Sequence, residues 1–430
     1  MLRRHGTSIG RSRVQSEPRS IAVIGAGIVG ICCALHLQRD GHRVTLIDPR
    51  PPGTATSFGN AGGIVTGAVV PNSTPGLWRD MPRMLFARDS AVRARWSYLP
   101  RLAPWLTDFL LAGRPSRVRQ IAAALRPLVT DAYAAHRRLI EAAGAAGIVR
   151  PVGWLKVYAS EAGFAHTAFD RALMAEHGVR FEVLGADEIR QLEPALARGF
   201  VRGLHQPDSG FVTAPIRLSQ AYLAAFHAAG GSVLTDRVRG LRFGADDVAL
   251  DCERGFLRFA RVVVAAGAWS GELVRQAGDR VRLDTERGYH LNLDPGEAGE
   301  LRRPVVFADR GGFVLAPMQD GVRLTSGVEL AGLDAPPDFT RIRRLLPVAR
   351  QVLPGLSDRV TRQWMGYRPS TPDSLPVIGA SPRSDRVLYA FGHQHLGLTL
   401  SAITGELIAA LASGRPPGID LAPYRVQRFG

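Results

Sequence analysis

Residues 21–48 read IAVIGAGIVGICCALHLQRDGHRVTLID, and no other stretch limits the fold so tightly. The apolar run over 21–24 predicts a buried strand. Gly25, Gly27 and Gly30 follow in the G-x-G-x-x-G spacing, an apolar helix runs on to about Gln38, and a second strand over 43–47 ends at an acid, Asp48. Gly25 permits a tight turn, Gly27 lets backbone amides approach a pyrophosphate, and Gly30 lets the helix pack closely on the strand. The helix N-terminus, at Ile28 and Val29, offers unpaired N–H groups and the positive end of a dipole to phosphate. Asp48 suits ribose hydroxyls and repels a 2′-phosphate, which selects NAD or FAD over NADP. A signal peptide or membrane span is the competing reading, because Arg3 and Arg4 precede the run. His36 and three glycines interrupt it, and it is shorter than the ~20 residues a span requires.

The chain of 430 residues is long enough for two domains, and 46% hydrophobic residues support a packed core. Cys32, Cys33 and Cys252 form neither a disulfide framework nor a metal spacing, which fits a reducing compartment and a cytoplasmic location. The net charge of +16 comes almost wholly from arginine, Lys156 being the only lysine. Residues 1–20 carry five Arg against one Glu, and residues 79–138 carry twelve Arg against four Asp. Such a surface suits an anionic partner. The sequence holds no helix-turn-helix or zinc pattern, so no nucleic-acid partner is expected, and no metal. Residues 78–138 interleave Trp78, Met81, Met84, Leu85, Phe86, Trp96, Trp105 and Phe109 with arginines. That mixture fits peripheral contact with an anionic membrane, and equally a helical subdomain with an aromatic core and solvated arginines.

Residues 1–20, polar, basic and aperiodic, predict a disordered leader. A Gly/Ser/Asn/Pro-rich loop over 56–76 is too long to be a plain connection. Helices broken by prolines are expected over 78–145. Strands follow from Val152, with helices over 162–177, 216–229 and 337–353 among them. Residues 288–330 alternate as in an antiparallel sheet. A strand over 387–391, Gly392 and a helix from about Leu396 to Ala412 end the chain. The early βαβ unit and this late strand–Gly–helix belong to one nucleotide-binding domain, with the β-rich segments forming a second and the ligand at their junction.

Four motifs carry a resemblance: the Gly25–Gly30 fingerprint; SFGNAG at 57–62; VVVAAGAWS at 262–270; and GYRPSTPDSLPVIG at 366–379 with GHQHLGLTLSAITGELIAAL at 392–411. In these the chain resembles the D-amino acid oxidase superfamily of FAD-dependent amine oxidoreductases, with the pattern of its bacterial D-amino acid dehydrogenases. The resemblance implies a mixed α/β and α+β architecture. A Rossmann-like FAD-binding domain (21–77, 185–275 and 355–425) would join a discontinuous antiparallel-sheet substrate domain (78–184 and 276–354) that includes the helical insert 78–145. It implies FAD rather than NAD. Ser57 and Asn60, with Ala61, would reach the pyrophosphate and flavin edge, and Gly62 and Gly63 would let backbone approach the ring. The turn Ala266–Gly267, with Trp269, would approach the cofactor, and backbone at Val238 would face the adenine. The final helix, from Gly397, Leu398 and Thr399, would stabilise negative charge at the flavin N1/C2=O edge. Some relatives attach flavin through a cysteine just ahead of the TPD triplet. Here that position is Gly366, which implies non-covalent FAD.

The chemistry implied is hydride transfer from the α-carbon of a D-amino acid to flavin, hydrolysis of the imino acid to a 2-oxo acid and ammonia, and passage of electrons to a quinone or other carrier. Arg368 matches the arginine that grips the substrate carboxylate, a task suited to its planar fork. Tyr289 and His290 are neighbours on one strand, so at most one faces the substrate, and Tyr289 is the one assigned. His393 and His395 flank the flavin-proximal turn, as ligands or as structural hydrogen bonders. No general acid or base is assigned. The alternatives are a glycine-, sarcosine- or D-proline-type oxidase using oxygen, a tRNA-modifying flavoprotein, and a non-catalytic flavin-binding subunit. Arg368 argues against the last.

Overall fold

The dinucleotide fingerprint folds as its pattern demands. Ser20–Ile24 and Arg43–Asp48 are parallel strands, Ile21 opposite Val44 and Ile24 opposite Ile47, joined by the helix Ile28–Arg39. They belong to a six-stranded sheet ordered Ser232–Thr235, Arg43–Asp48, Ser20–Ile24, Arg261–Val264, Ser384–Phe391 and Val377–Ser381, parallel except for the last pair. The structure, a computed structural model, describes residues 19–79, 81, 92–309 and 312–430. Most of the expected leader and Met84, Leu85 and Phe86 lie outside the described residues, whereas Ser20, assigned to the leader, already opens the first strand.

The first helix is buried on nearly every side because the final helix, Gly397–Ala412, crosses it. A Cβ on Gly405 would lie 2.7 Å from the Cys32 carbonyl oxygen, so the two helices meet backbone to backbone. Among the described residues the stretch Gln394–Ala412 is apolar and long enough to cross a membrane, but it is mostly buried inside the protein, as a core helix is.

The second large sheet has nine strands. Its order is Val360–Ser370, Asp284–Leu293, Gly321–Leu330, Phe313–Met318, Val305–Phe307, Trp154–Tyr158, Arg202–Gln206 and Glu182–Leu184, with Val92–Ala94 paired to Gly321–Leu330. One face buries Leu155, Val157, Leu291, Leu315 and Leu324 against Ile342, Ala349 and Val352. Two strands fall in this sheet that the sequence reading gives to the FAD-binding domain, Arg202–Gln206 and Val360–Ser370. Sheet membership is set by pairing with distant strands, which local alternation does not encode. The helix expected over 162–177 divides into Glu161–His166 and Ala168–Glu176, and that over 337–353 into Thr340–Arg343 and Leu346–Val352.

The arginine-rich insert contains the helices Leu99–Ala112 and Pro115–Ala142. Its aromatics divide. Trp105 is 4% exposed, packs with Leu102 and Leu330, and donates from its indole Nε1 to the Ser370 carbonyl at 2.9 Å. Phe109 stacks on it at 5.0 Å. Tyr98 donates to the Asp284 carboxylate. These residues brace the end of the nine-stranded sheet that carries Arg368. Trp78 and Trp96 instead stand 63% and 66% exposed.

Between Pro115–Ala142 and the final helix sits His136, fully buried. Its Nε2 lies 2.8 Å from the Leu398 carbonyl, which requires a proton on Nε2, and its Nδ1 lies 3.0 Å from the Tyr222 hydroxyl, which can then donate. Burial pulls its pKa from 6.5 down to about 4. The folded state therefore takes up this proton later than the unfolded chain. The stability contributed by the neutral ring is full above about pH 6.5 and is lost as pH falls toward 4. The difference in unfolding free energy between wild type and His136→Asn is expected to narrow by about 3 kcal/mol from pH 7 to pH 4, read by denaturant titration. A pH-independent difference would contradict the assigned neutral state.

Candidate active site

One cavity meets the C-terminal ends of the parallel strands on one side and a face of the nine-stranded sheet on the other, with about 1510 Å³ not filled by protein, part of it open to solvent. This is where an open parallel sheet receives a ligand. Gly25 has φ +106°, and a Cβ there would lie 2.4 Å from the Ala265 carbonyl oxygen. A Cβ on Gly30 would lie 1.8 Å from the Gly25 carbonyl oxygen, so the helix is pressed onto the turn that feeds it. Gly30 thus shapes the cavity from behind, while Gly25, Gly27, Ile28 and Val29 line it. The helix has no side-chain N-cap and no acid in its first turn, leaving its positive end to a ligand. Asp48 Oδ2 accepts the Ala26 amide at 2.8 Å and Oδ1 the Arg50 amide at 2.9 Å. These bonds fix the carboxylate at the cavity edge, where each oxygen keeps a lone pair for a ribose hydroxyl.

The glycine-rich loop is held by its own polar groups. Ser57 Oγ accepts the Ile28 amide at 2.9 Å and keeps its O–H for a ligand. Asn60 lines the cavity, and its amide also holds the turn, donating to the Ser57 carbonyl at 2.7 Å and accepting the Gly62 amide at 2.8 Å. Ala61 and Gly63 line the cavity. Gly62, at φ +76°, supports from behind, since a Cβ there would meet the Val212 carbonyl at 2.3 Å. Thr399 donates to the Gly63 carbonyl and accepts the Val65 amide, both at 3.1 Å, and so ties this loop to the final helix. That helix also begins with no side-chain cap and no first-turn acid, and Gly397, Leu398 and Thr399 line the cavity. Two helix N-termini therefore open into one space, the first with its Ile28 amide already taken by Ser57 Oγ. Ala266, Gly267 and Trp269 line it as well, with the Arg50 guanidinium 4.5 Å from the Trp269 ring centroid.

Val238 is not part of the wall. It opens the strand Val238–Phe243 of a separate three-stranded sheet. The backbone beside Asp48 is instead that of Asp236, whose amide donates to the Asp48 carbonyl at 3.2 Å.

Arg368 and Tyr289 come from the nine-stranded sheet. Arg368 is half-buried, faces the cavity, and donates from Nη1 to the Gly327 carbonyl at 3.0 Å. Burial draws its pKa below the usual guanidinium range, and the nearby carboxyl of Glu286, its cross-strand partner, opposes that shift. No acid lies within ion-pair distance of the guanidinium among the described residues. Tyr289 contributes to the wall, but its hydroxyl bonds Glu329 and its ring meets Phe339 edge-on. Its hydroxyl is thereby committed within the protein, while of the two neighbours only Tyr289 stands in the wall. His290 is fully buried behind the wall, with Nδ1 3.0 Å from the Gly59 carbonyl and its ring stacked on Trp364 at 5.1 Å.

His393 and His395 both line the cavity. His393 Nε2 lies 3.0 Å from Thr404 Oγ1, and burial lowers its pKa to about 3. His395 lines the cavity and is exposed within it, and desolvation, then the charge of Arg368, lowers its pKa to about 4. Both rings are neutral near pH 7.

Sequence reasoning does not find Trp154, Trp364 or Gln394, which also line the cavity. Gln394 carries φ +49°, held by its donation to the Thr371 carbonyl at 2.7 Å and by acceptance from Asn72 at 2.9 Å. The one available signal for Trp364 is its place two residues before Gly366: a Cβ on Gly366 or on Gly59 would fall within 2.1 Å of the indole. The glycine cradles, two helix ends and the acid at the second strand fit FAD. The three cysteines are buried and none lines the cavity, so nothing there offers a thiol for attachment.

A Cβ on Gly288 would lie 2.3 Å from Arg368 Nη2, the far end of a flexible side chain. Gly288→Ala is expected to fold and load flavin while displacing the guanidinium. Losing one charge-assisted contact corresponds to roughly 10- to 100-fold weaker binding of a carboxylate ligand, read by titrating flavin absorbance. Unchanged binding would remove Gly288 from the seat of Arg368.

Residues 20–411 match the family described as FAD dependent oxidoreductase, known as DAO. The chain is 39% identical to a D-amino-acid oxidase of Bradyrhizobium diazoefficiens over 96% of its own length and 99% of that protein. It is 30% identical to a D-amino acid dehydrogenase of Chromohalobacter salexigens, over 95% and 99% of the two chains. Its fold is similar to that of glycine oxidase from Geobacillus kaustophilus, with a TM-score of 0.76 and 23% identity, over 96% and 99% of the two chains. With the match spanning most of the sequence, the chain belongs to the DAO family of FAD-dependent oxidoreductases.

Proposed function

We propose that this protein oxidatively deaminates D-amino acids, with Arg368 holding the substrate carboxylate. The observation that carries the reading is a guanidinium facing the cavity from the nine-stranded sheet, with no acid in ion-pair distance among the described residues, opposite the cofactor cradle. The names of relatives at 39% and 30% identity over nearly the whole chain support it. FAD, when bound, supplies the acceptor for the hydride from the α-carbon. Arg368 aligns the substrate through a planar fork, fixing which face of the α-carbon is presented. The N-terminus of Gly397–Ala412 would offer amide dipoles to negative charge developing on a bound flavin. His393 and His395, neutral near pH 7, add no charge beside the amine. The amine loses its proton to water before reaction, and the product imino acid hydrolyses to a 2-oxo acid and ammonia.

The acceptor we assign is a membrane quinone, with the protein resting on the cytoplasmic face of the membrane. Trp78 and Trp96, 63% and 66% exposed on the arginine-rich insert, support this. Arg79 lies over the Trp78 ring at 5.1 Å, and exposed indoles beside guanidinium groups suit an anionic interface. Oxygen is the second reading, favoured by the name of the Bradyrhizobium relative.

In a dye-coupled assay D-amino acids are expected to reduce the acceptor. Arg368→Ala should lower kcat/KM by about 100-fold or more while retaining flavin, as loss of a charge-assisted pair requires. A flavin-loaded Arg368→Ala protein with undiminished kcat/KM would refute the assignment. Turnover with a soluble quinone is expected to exceed peroxide formation under air, and the reverse order would establish the oxidase reading. Trp78→Ser with Trp96→Ser is expected to reduce cosedimentation with anionic vesicles, and unchanged binding would remove this face from the interface.

A further inference from the structure

Beside the strand Val92–Ala94, where it pairs with Gly321–Leu330, lies a separate concavity with about 730 Å³ not filled by protein, part of it open to solvent. The guanidiniums of Arg93, Arg341 and Arg344 line it, together with the Asp338 carboxylate, the Thr340 hydroxyl and the Trp96 indole. We propose that this pocket seats the phosphate of an anionic phospholipid headgroup, with Trp96 at its rim entering the membrane interface; this rests on the membrane-attachment reading above.

The pocket carboxylate is already engaged. Asp338 Oδ1 accepts the Thr340 amide at 3.0 Å, and Oδ2 accepts Arg93 Nη1 at 2.5 Å. Arg341 is held by donation from Nη1 to the Val92 carbonyl at 3.3 Å. Arg344 ends the helical stretch Thr340–Arg343 three residues further on, on the same side as Arg341. Burial, then the charges of Arg93 and Arg344, draw the Arg341 pKa below the usual guanidinium range, while Asp338 and Glu329 act the other way with smaller effect. The field inside the pocket is therefore positive, and an anion entering it relieves repulsion among the guanidiniums. Residues 82–91, which precede Val92 in the chain, carry two arginines and one aspartate, a charge of the same sign.

A phosphate presents several oxygens to several guanidiniums at once, the arrangement that suits arginine. A lipid rather than a soluble ester is assigned because Trp96 stands exposed in the same wall, and an indole beside cations settles at the headgroup level of a membrane. A zwitterionic headgroup would bring its own cation against Arg341 and Arg344, so net anionic lipids are preferred.

The test is cosedimentation of the flavin-loaded protein with vesicles of phosphatidylcholine alone, or mixed equally with phosphatidylglycerol. Binding is expected to the mixture, and equal binding to both would contradict the proposal. Arg344→Glu is expected to weaken binding by about tenfold or more. Arg254→Glu makes the same change in net charge on the exposed hairpin turn between Val248–Cys252 and Gly255–Phe259, and is expected to weaken it by less than about twofold. Equal losses in the two variants would assign the attraction to net charge and overturn the pocket, while leaving the membrane face in place. Failure of the wild type to bind the mixture would end both readings. Should charge reversal cost the protein its flavin, Arg344→Gln against Arg254→Gln reads the same ranking. Stabilisation of the wild type by glycerol phosphate in a thermal melt, lost in Arg344→Glu and without vesicle binding, would make a soluble phosphate ester the occupant and overturn the lipid assignment.

Discussion

The backbone contact between the first and last helices sets the rest of the site. Gly405 brings the final helix onto the Cys32 carbonyl, and Gly30 brings the first helix onto the Gly25 carbonyl. No side chain fits at either point. Because the two helices cross this closely, their N-termini open into the same cavity. The field of a helix end falls off within its first turn, so a looser crossing would leave at least one end too far from the ligand to act on it. Thr399 then fastens the glycine-rich loop to the final helix, and the cradle becomes a single unit.

The nine-stranded sheet is the other wall, and its own polar core keeps it in place. Arg287 is fully buried, yet it donates to the carbonyls of Gly332, Ala335 and Pro336 and pairs with Glu329, which also takes the Tyr289 hydroxyl. A buried guanidinium satisfied this fully is costly to strip of a partner, which makes it a rigid anchor for the 332–336 loop. The strand that holds Arg287 is paired with the strand that holds Arg368, Tyr367 standing opposite Arg287. The arginine-rich insert braces the same end through Trp105 and Tyr98. The cation facing the cavity is therefore supported by interactions that lie outside it.

Much of the nucleotide half was legible because its signals are local. The strand, the fingerprint glycines, the helix and the second strand with its terminal acid fall within residues 20–48, and they fold in the order their spacing implies. The other half depends on contacts between distant segments. Alternation along residues 288–291 cannot say which face holds the cavity, so Tyr289 was chosen although its hydroxyl belongs to Glu329. Asn60 stands in the cavity wall and also closes its own turn, a second task that a short amide on a glycine loop does not reveal in sequence. Trp105 and Trp96 lie nine residues apart with similar neighbours, and only the fold shows that one is core and the other surface.

The central claim is that this cavity holds FAD against a guanidinium that presents an amino acid to it. Anaerobic absorbance of the purified protein tests that most directly. The account requires the visible bands of stoichiometric bound FAD, and their bleaching when a D-amino acid is added. A colourless protein that added FAD does not restore, or flavin bands untouched by any amino acid, would contradict it.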